Sequence, residues 1–205
     1  MSAIAVPFPS ASPPPADLPS LIRLTVAYYH EMGESGILGP EDRVELLDGY
    51  LVNKPMQTSP HGSTVQRVTE DLVKLVPSGW RVRIQLPITL SESEPEPDAA
   101  ICQGDRRTFD ARHPSGSEIA IVIEVADSSL ATDRAFKGPI YARAGIPRYW
   151  IVNIPDRSIE VYTGASGPAE APAYSHRADY SAAQSVPLVL EGRTIAEIPV
   201  ADLLP

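Results

Sequence analysis

Two carboxylates stand where a folded chain would find them expensive. Asp98 follows Pro97 at the opening of the short apolar run AAIC, and Glu124 lies near the end of the longer run IVIEV. A carboxylate in an apolar strand is costly unless a partner or an ion receives it. Adjacent strands can bring Asp98 and Glu124 onto one site. Two carboxylates plus a backbone carbonyl, such as that of Val125, suit a hard cation, Mg²⁺ or Mn²⁺. An ion held there would activate water and stabilise a pentacovalent phosphate. The same residues allow a plainer arrangement, with Glu124 in a structural ion pair with Arg134 or Arg143 and Asp98 merely capping a strand. A serine hydrolase is set aside: the only nearby candidate for a nucleophile elbow, Gly164-Ala165-Ser166-Gly167, has the wrong spacing.

Composition bounds what those residues can belong to. The 205 residues suit one domain with modest extensions. At 43% hydrophobic and 21% charged residues the chain is an ordinary globular one, and no stretch approaches the run of about 18 apolar residues that a membrane span needs. No membrane association and no secretion signal are expected, since Pro7, Pro9 and Pro13 to Pro15 interrupt the N-terminus before an apolar segment develops. Cys102 is the single cysteine, so neither a disulfide nor a sulfur-rich zinc site can form within the chain, and a reducing cytoplasmic setting is the expectation. The net charge of -9 argues against simple nucleic-acid binding, which relies on Lys and Arg releasing counterions. Divalent metals at a carboxylate cluster would offset part of it.

The elements that must position these groups can be read in order. Residues 1–20 are a Pro/Ser/Ala-rich segment with little to bury, expected as a disordered tail, and residues 21–205 are expected as a single domain. Thr25 caps a helix through Met32. Asp48-Gly49 predicts a two-residue turn between strands over Arg43 to Leu47 and Tyr50 to Asn53. Val65, Val68, Leu72, Leu75 and Val76 give one buried face to a helix over Ser63 to Val76. Strands follow over Trp80 to Leu90, Asp98 to Cys102 and Ile119 to Val125. Ser128 or Ser129 then caps a helix to Ala144, closed at Gly145. Strands over Arg148 to Ile154 and Ser158 to Tyr162, a flexible loop at residues 164–173 and terminal strands complete the chain. Tyr149 and Trp150, at a strand start, are expected in the core. Asp127, Ser128 and Ser129 read as capping residues before a helix.

The segments VELLDGYLV, PDAAI, IEVADSSLATDRAFK and YARAGIPRYWIVN together resemble the Uma-two family of bacterial endonucleases, within the PD-(D/E)XK superfamily. The likeness runs from about Thr25 to the C-terminus. It implies an α/β, restriction-endonuclease-like αβββαβ core with a mixed central sheet, to which the N-terminal helix and hairpin and the C-terminal strands are additions. It also implies that Asp98 is the PD aspartate and Glu124 the acidic member of the second half-motif. The lysine that the superfamily carries two positions after that glutamate is Ala126 in this chain. The resemblance implies a relocated lysine, Lys137, which would reach back from the following helix to position the attacking water. Lys137 could instead pair with Asp133, four residues earlier, on a solvated face. Glu45, in VELLDG, is a supporting carboxylate or a residue facing water. His61, at a helix start, is left outside the catalytic set. The implied function is Mg²⁺-dependent hydrolysis of DNA by a homodimer; the alternative is a catalytically silent binding or assembly module on the same fold.

Overall fold

The computed structural model describes residues 21–39 and 41–205. The tail expected over residues 1–20 lies outside them.

Helix α1 (Val26–Glu34) is capped by Thr25, whose Oγ1 accepts from Tyr28 N at 3.2 Å. Strands β1 (Val44–Leu47) and β2 (Tyr50–Asn53) meet at Asp48-Gly49, with φ of 51° and 79°, the pair of positive angles that a tight hairpin of this hand demands. Helix α2 (Ser59–Leu75) begins four residues before the predicted start, because Thr58 caps it, accepting from His61 N at 3.3 Å, and Pro60 fits its first turn. Thr64, Val65, Val68 and Leu72 form its buried face.

Six strands build the main sheet: β3 (Trp80–Ile84), β4 (Ala99–Gln103), β5 (Ile119–Ala126), β6 (Arg148–Asn153), β7 (Ser158–Ala165) and β8 (Tyr174–Ser181). They lie side by side in chain order, and every pair is antiparallel except β5 and β6. That parallel pair needs a crossover. It is supplied by α3 (Leu130–Thr132), a π-helical turn (Asp133–Lys137) and α4 (Gly138–Arg143). The succession α2, β3, β4, β5, crossover helix, β6 is the expected αβββαβ core.

The sheet has two dry faces. Ala99, Ile101, Ile123, Val125, Trp150 and Val152 pack under α2, joined there by β9 (Ser185–Leu190), β10 (Arg193–Pro199) and α5 (Val200–Leu203). Ala100, Val122, Ala126, Tyr149 and Ile151 face α4. Tyr149 and Trp150 are thus core residues, on opposite faces.

Several boundaries differ from expectation. The strand predicted over Trp80 to Leu90 stops at Ile84, since Gln85 takes φ 49° and Pro87 lacks the donor a ladder needs. The helix predicted to Ala144 carries a π turn that sequence periodicity does not signal. Ser129 precedes it without capping it; its hydroxyl donates to Asp133 Oδ2 at 2.6 Å. Strand β7 continues through Ala165, and the segment after it is tied by Ser166 N to Ala173 O at 3.0 Å and by Gly167 N to Ala142 O at 3.1 Å.

Candidate active site

Strands β4 and β5 pair as far as Ala99 opposite Ile123. Asp98 therefore stands just beyond the ladder, and its Oδ2 accepts from the otherwise unpaired Val125 N at 2.8 Å. A strand residue turns its N–H and C=O to the same edge, so the Val125 carbonyl faces this gap as well. Glu124 lies between Ile123 and Val125, which pack under α2, so its side chain emerges on the α4 face.

The crossover helix meets it there. Gly138 N bonds Asp133 O, the i to i+5 span that inserts one residue into the turn. Asp133 and Lys137 are both buried as a result, and the solvated-face pairing that their spacing also allowed does not occur. Lys137 Nζ lies 3.0 Å from Glu124 Oε1 and 3.4 Å from Glu45 Oε1. Tyr141, one turn on, donates to the same Glu124 Oε1 at 2.6 Å. Neither Arg134 nor Arg143 takes Glu124 as partner: Arg134 pairs with Glu160, and Arg143 with Asp48 and Glu92.

Glu45, on β1, is buried, its Oε2 accepting from Glu96 N at 3.1 Å. The hairpin thereby adds its carboxylate to the core site. His61, excluded in the sequence reading, places Nε2 3.1 Å from Asp98 Oδ2, while Gln85 Nε2 donates to Asp98 Oδ1 at 3.3 Å. Thr58 bonds Asp127 through its hydroxyl, which joins the start of α2 to the end of β5. Asp98, Glu124, Lys137, Glu45, His61 and Asp133 line one cleft of about 540 Å³. Tyr141 was missed because a buried tyrosine reads as core; its position four residues after Lys137 was the available signal.

Burial, opposed by Lys137 and reinforced by Asp133, Asp98 and Glu45, pushes the Glu124 carboxyl up to about 8. Burial alone would lower Lys137, but the pull of Glu124, Glu45 and Asp133 outweighs it and holds the ammonium raised and charged. The His61 ring is raised chiefly by its bond to Asp98. One cation thus serves several carboxylates, and the excess negative charge favours a further proton or a bound cation.

The donors fit a hard cation. Both bonds to Glu124 fall on Oε1, leaving Oε2 without a donor among the described residues. That oxygen, Asp98 Oδ1, which Gln85 Nε2 approaches at 3.3 Å, and the Val125 carbonyl are the oxygens that could serve a hard cation at the cleft. Among the described residues no three His, Cys, Asp or Glu side chains form a ready-made cage. Oxygens of this kind would suit an ion such as Mg²⁺, which takes one or two carboxylates and keeps much of its water.

A family model described as "Uma2: Putative restriction endonuclease" matches residues 26–197. Among solved structures, a crystal structure described as "a putative nuclease belonging to DUF820", from Anabaena variabilis ATCC 29413, superposes with a TM-score of 0.66 at 13% identity, over 88% of this chain and 97% of that one. At that identity the likeness concerns the fold. No curated protein matches the chain. With the family model spanning the hairpin, the core and the C-terminal strands, this chain belongs to the Uma2 restriction-endonuclease-like family.

Proposed function

We propose that this protein is a metal-dependent endonuclease that hydrolyses DNA phosphodiester bonds at Asp98, Glu124 and Lys137. The observation that carries the reading is the buried Lys137 ammonium, delivered by the π turn to Glu124 and Glu45 in the cleft that also holds Asp98. On this reading Lys137 takes the role of the lysine missing two positions after Glu124.

Asp98, Glu124 and the Val125 carbonyl would hold Mg²⁺ or Mn²⁺. When bound, the ion supplies Lewis-acid polarisation of the scissile phosphate and neutralises its charge. Lys137, kept protonated by its carboxylates, can only donate. It therefore orients the attacking water through an N–H bond to the water oxygen, or meets charge developing on the phosphate, and is not the base. His61, Gln85 and Val125 N fix the Asp98 carboxylate, and Tyr141 fixes Glu124. Glu45 tethers Lys137. Cutting both strands of a duplex needs two sites, so a homodimer belongs to this reading.

A silent module is the second reading, favoured by the saturation of Glu124 Oε1 by Lys137 and Tyr141. Calorimetric titration of Mg²⁺ and Mn²⁺ into the wild-type protein and the Asp98→Ala/Glu124→Ala variant separates the two. Binding that the double variant loses supports the nuclease. Wild-type binding no stronger than that of the variant sinks it.

A further inference from the structure

In a chain of net charge -9, four arginines without an ion pair among the described residues belong to one edge strand and the loop beside it. β3 is an edge strand of the sheet, and Arg81 and Arg83 leave it on the same face as Ala100 and Cys102, their neighbours on β4. The β4–β5 loop folds back to this edge and brings Arg106, Arg107 and Arg112 with it. Two guanidinium groups approach the ring of Phe109, from that loop, with Arg83 Cζ 5.4 Å and Arg112 Cζ 5.5 Å from its centroid. Arg112 has a carboxylate partner, Glu118. Arg81, Arg83, Arg106 and Arg107 form no ion pair among the described residues, and Arg81, Arg106 and Arg107 are exposed.

Arg83 is the most telling. It is half-buried, and among the described residues its side chain bonds only Pro87 O and His113 Nδ1, both at 3.3 Å, while its buried Nε has no partner there. A partly desolvated guanidinium without an anion is unfavourable, and the cation–π contact with Phe109 offsets only part of that cost. Asp105 does not relieve it: Asp105 Oδ1 is turned onto its own loop, accepting from Arg107 N at 2.8 Å and Thr108 Oγ1 at 3.1 Å. Asp110, the other acid of the loop, is exposed and forms no ion pair among the described residues. The loop's own bonds to Asp105, and then the nearby Arg81 cation, draw that carboxyl down, but no acid of the loop reaches Arg83, and that side chain lacks an anion.

The patch leads to the cleft. Arg83 lies two residues, and Arg81 four residues, before Gln85, which donates to Asp98. At about 3.3 Å per strand residue these arginines stand roughly 7 and 13 Å from that contact. That is about two to four nucleotide steps along a duplex, at about 3.4 Å per step on each strand.

We infer that the β3 edge and the β4–β5 loop form the track on which a DNA backbone lies as it leaves the cleft, its phosphates met by Arg81, Arg83, Arg106 and Arg107. The inference rests on the endonuclease reading, since it is the nearby phosphodiester chemistry that selects DNA over an acidic protein as the anion.

The test is fluorescence anisotropy of a labelled DNA duplex with the full chain in EDTA, where binding is read without cleavage, at salt concentrations from about 50 to about 200 mM. Each phosphate contact contributes about 0.9 to the slope of log affinity on log salt, about 3.5-fold across that range. Arg106→Ala/Arg107→Ala, at two exposed loop positions, should lower the slope by nearly two, so that its deficit against wild type is about ten-fold larger at the low-salt end than at the high-salt end. Arg83→Gln should lower the slope by about one, and Arg177→Ala, on β8 at the opposite edge of the sheet, should change neither. An unchanged slope in the double loop variant, or wild-type protein that ignores DNA but binds polyglutamate through the same arginines, would overturn the track. DNA binding with the expected slope losses but no cleavage in Mg²⁺ would instead overturn the enzymatic reading and leave the track standing.

Discussion

Replacing Lys137 by methionine keeps most of the side-chain volume and removes the one charge that Glu124 and Glu45 share. The lysine side chain is 11% exposed, and those of Glu124 and Glu45 are 5% and 6% exposed, so solvent screens the pair weakly. Removing one partner of a buried ion pair costs about 3–5 kcal/mol. Each carboxylate keeps a donor, Tyr141 OH on Glu124 and Glu96 N on Glu45, and the Glu124 carboxyl, already raised, takes up a proton once the ammonium is gone, which places the cost at the lower end, about 3 kcal/mol. For a domain of this size 1 kcal/mol moves Tm by about 2–4 °C, so Lys137→Met should melt roughly 6–12 °C below wild type in EDTA. A divalent cation among the same carboxylates would replace part of the lost charge, and added Mg²⁺ should therefore raise Tm more in the variant than in wild type. Scanning calorimetry of both proteins, with and without Mg²⁺, reads both quantities. A variant as stable as wild type in EDTA, or one that gains less from Mg²⁺, would refute the claim that Lys137 neutralises a cation-binding carboxylate cluster.

Other parts of the fold give independent checks. Arg112, with Ser115 N and its hydroxyl, pulls the Glu118 carboxyl down to about 2. The stability it adds is present above about 4.5 and is lost as pH falls towards 2, so Glu118→Gln should flatten the dependence of Tm on pH between those limits. Burial pushes the Cys102 thiol up to about 12, and it should resist maleimide in the native protein while reacting at once in urea. At Gly49 a Cβ would stand 2.6 Å from Arg23 Cβ and 3.1 Å from Leu24 O, at φ +79°, so Gly49→Ala should cost about 1–3 kcal/mol in urea denaturation. An unchanged midpoint would mean that the N-terminal segment does not pack on the hairpin.

What could be read from the sequence follows from which interactions are local. The Asp48-Gly49 turn, the Thr25 cap and the apolar run of β5 are set by near neighbours, and each lies where it was expected. Asp98 and Glu124 meet as strand order implied, because one run ends where the other passes. The π turn was hidden, since one extra residue in a helical turn leaves no mark on a three-and-four spacing. Its consequence, the burial of Asp133 and Lys137, was hidden with it. His61 looked like an ordinary helix-start residue, and only the docking of α2 against β4 and β5 brings it to Asp98. The arginines between 81 and 112 are diluted in sequence by Glu92, Glu94, Glu96 and Asp98. Sheet pairing and the fold-back of the β4–β5 loop separate the two signs, sending the acids towards the hairpin and the cleft and the arginines to the edge.

The most direct measurement of the central claim is conversion of supercoiled plasmid to nicked and linear forms in Mg²⁺ or Mn²⁺. Wild type is compared with Asp98→Asn, Glu124→Gln and Lys137→Met, each first shown to be folded by circular dichroism. Wild type should nick the plasmid in a reaction that EDTA abolishes, neither carboxylate variant should nick detectably, and Lys137→Met should lose about 100- to 1,000-fold, the effect of removing one donor that acts on the transition state. Nicking that persists in Asp98→Asn, or a folded wild-type protein that binds the metal and leaves the plasmid intact, would contradict the claim.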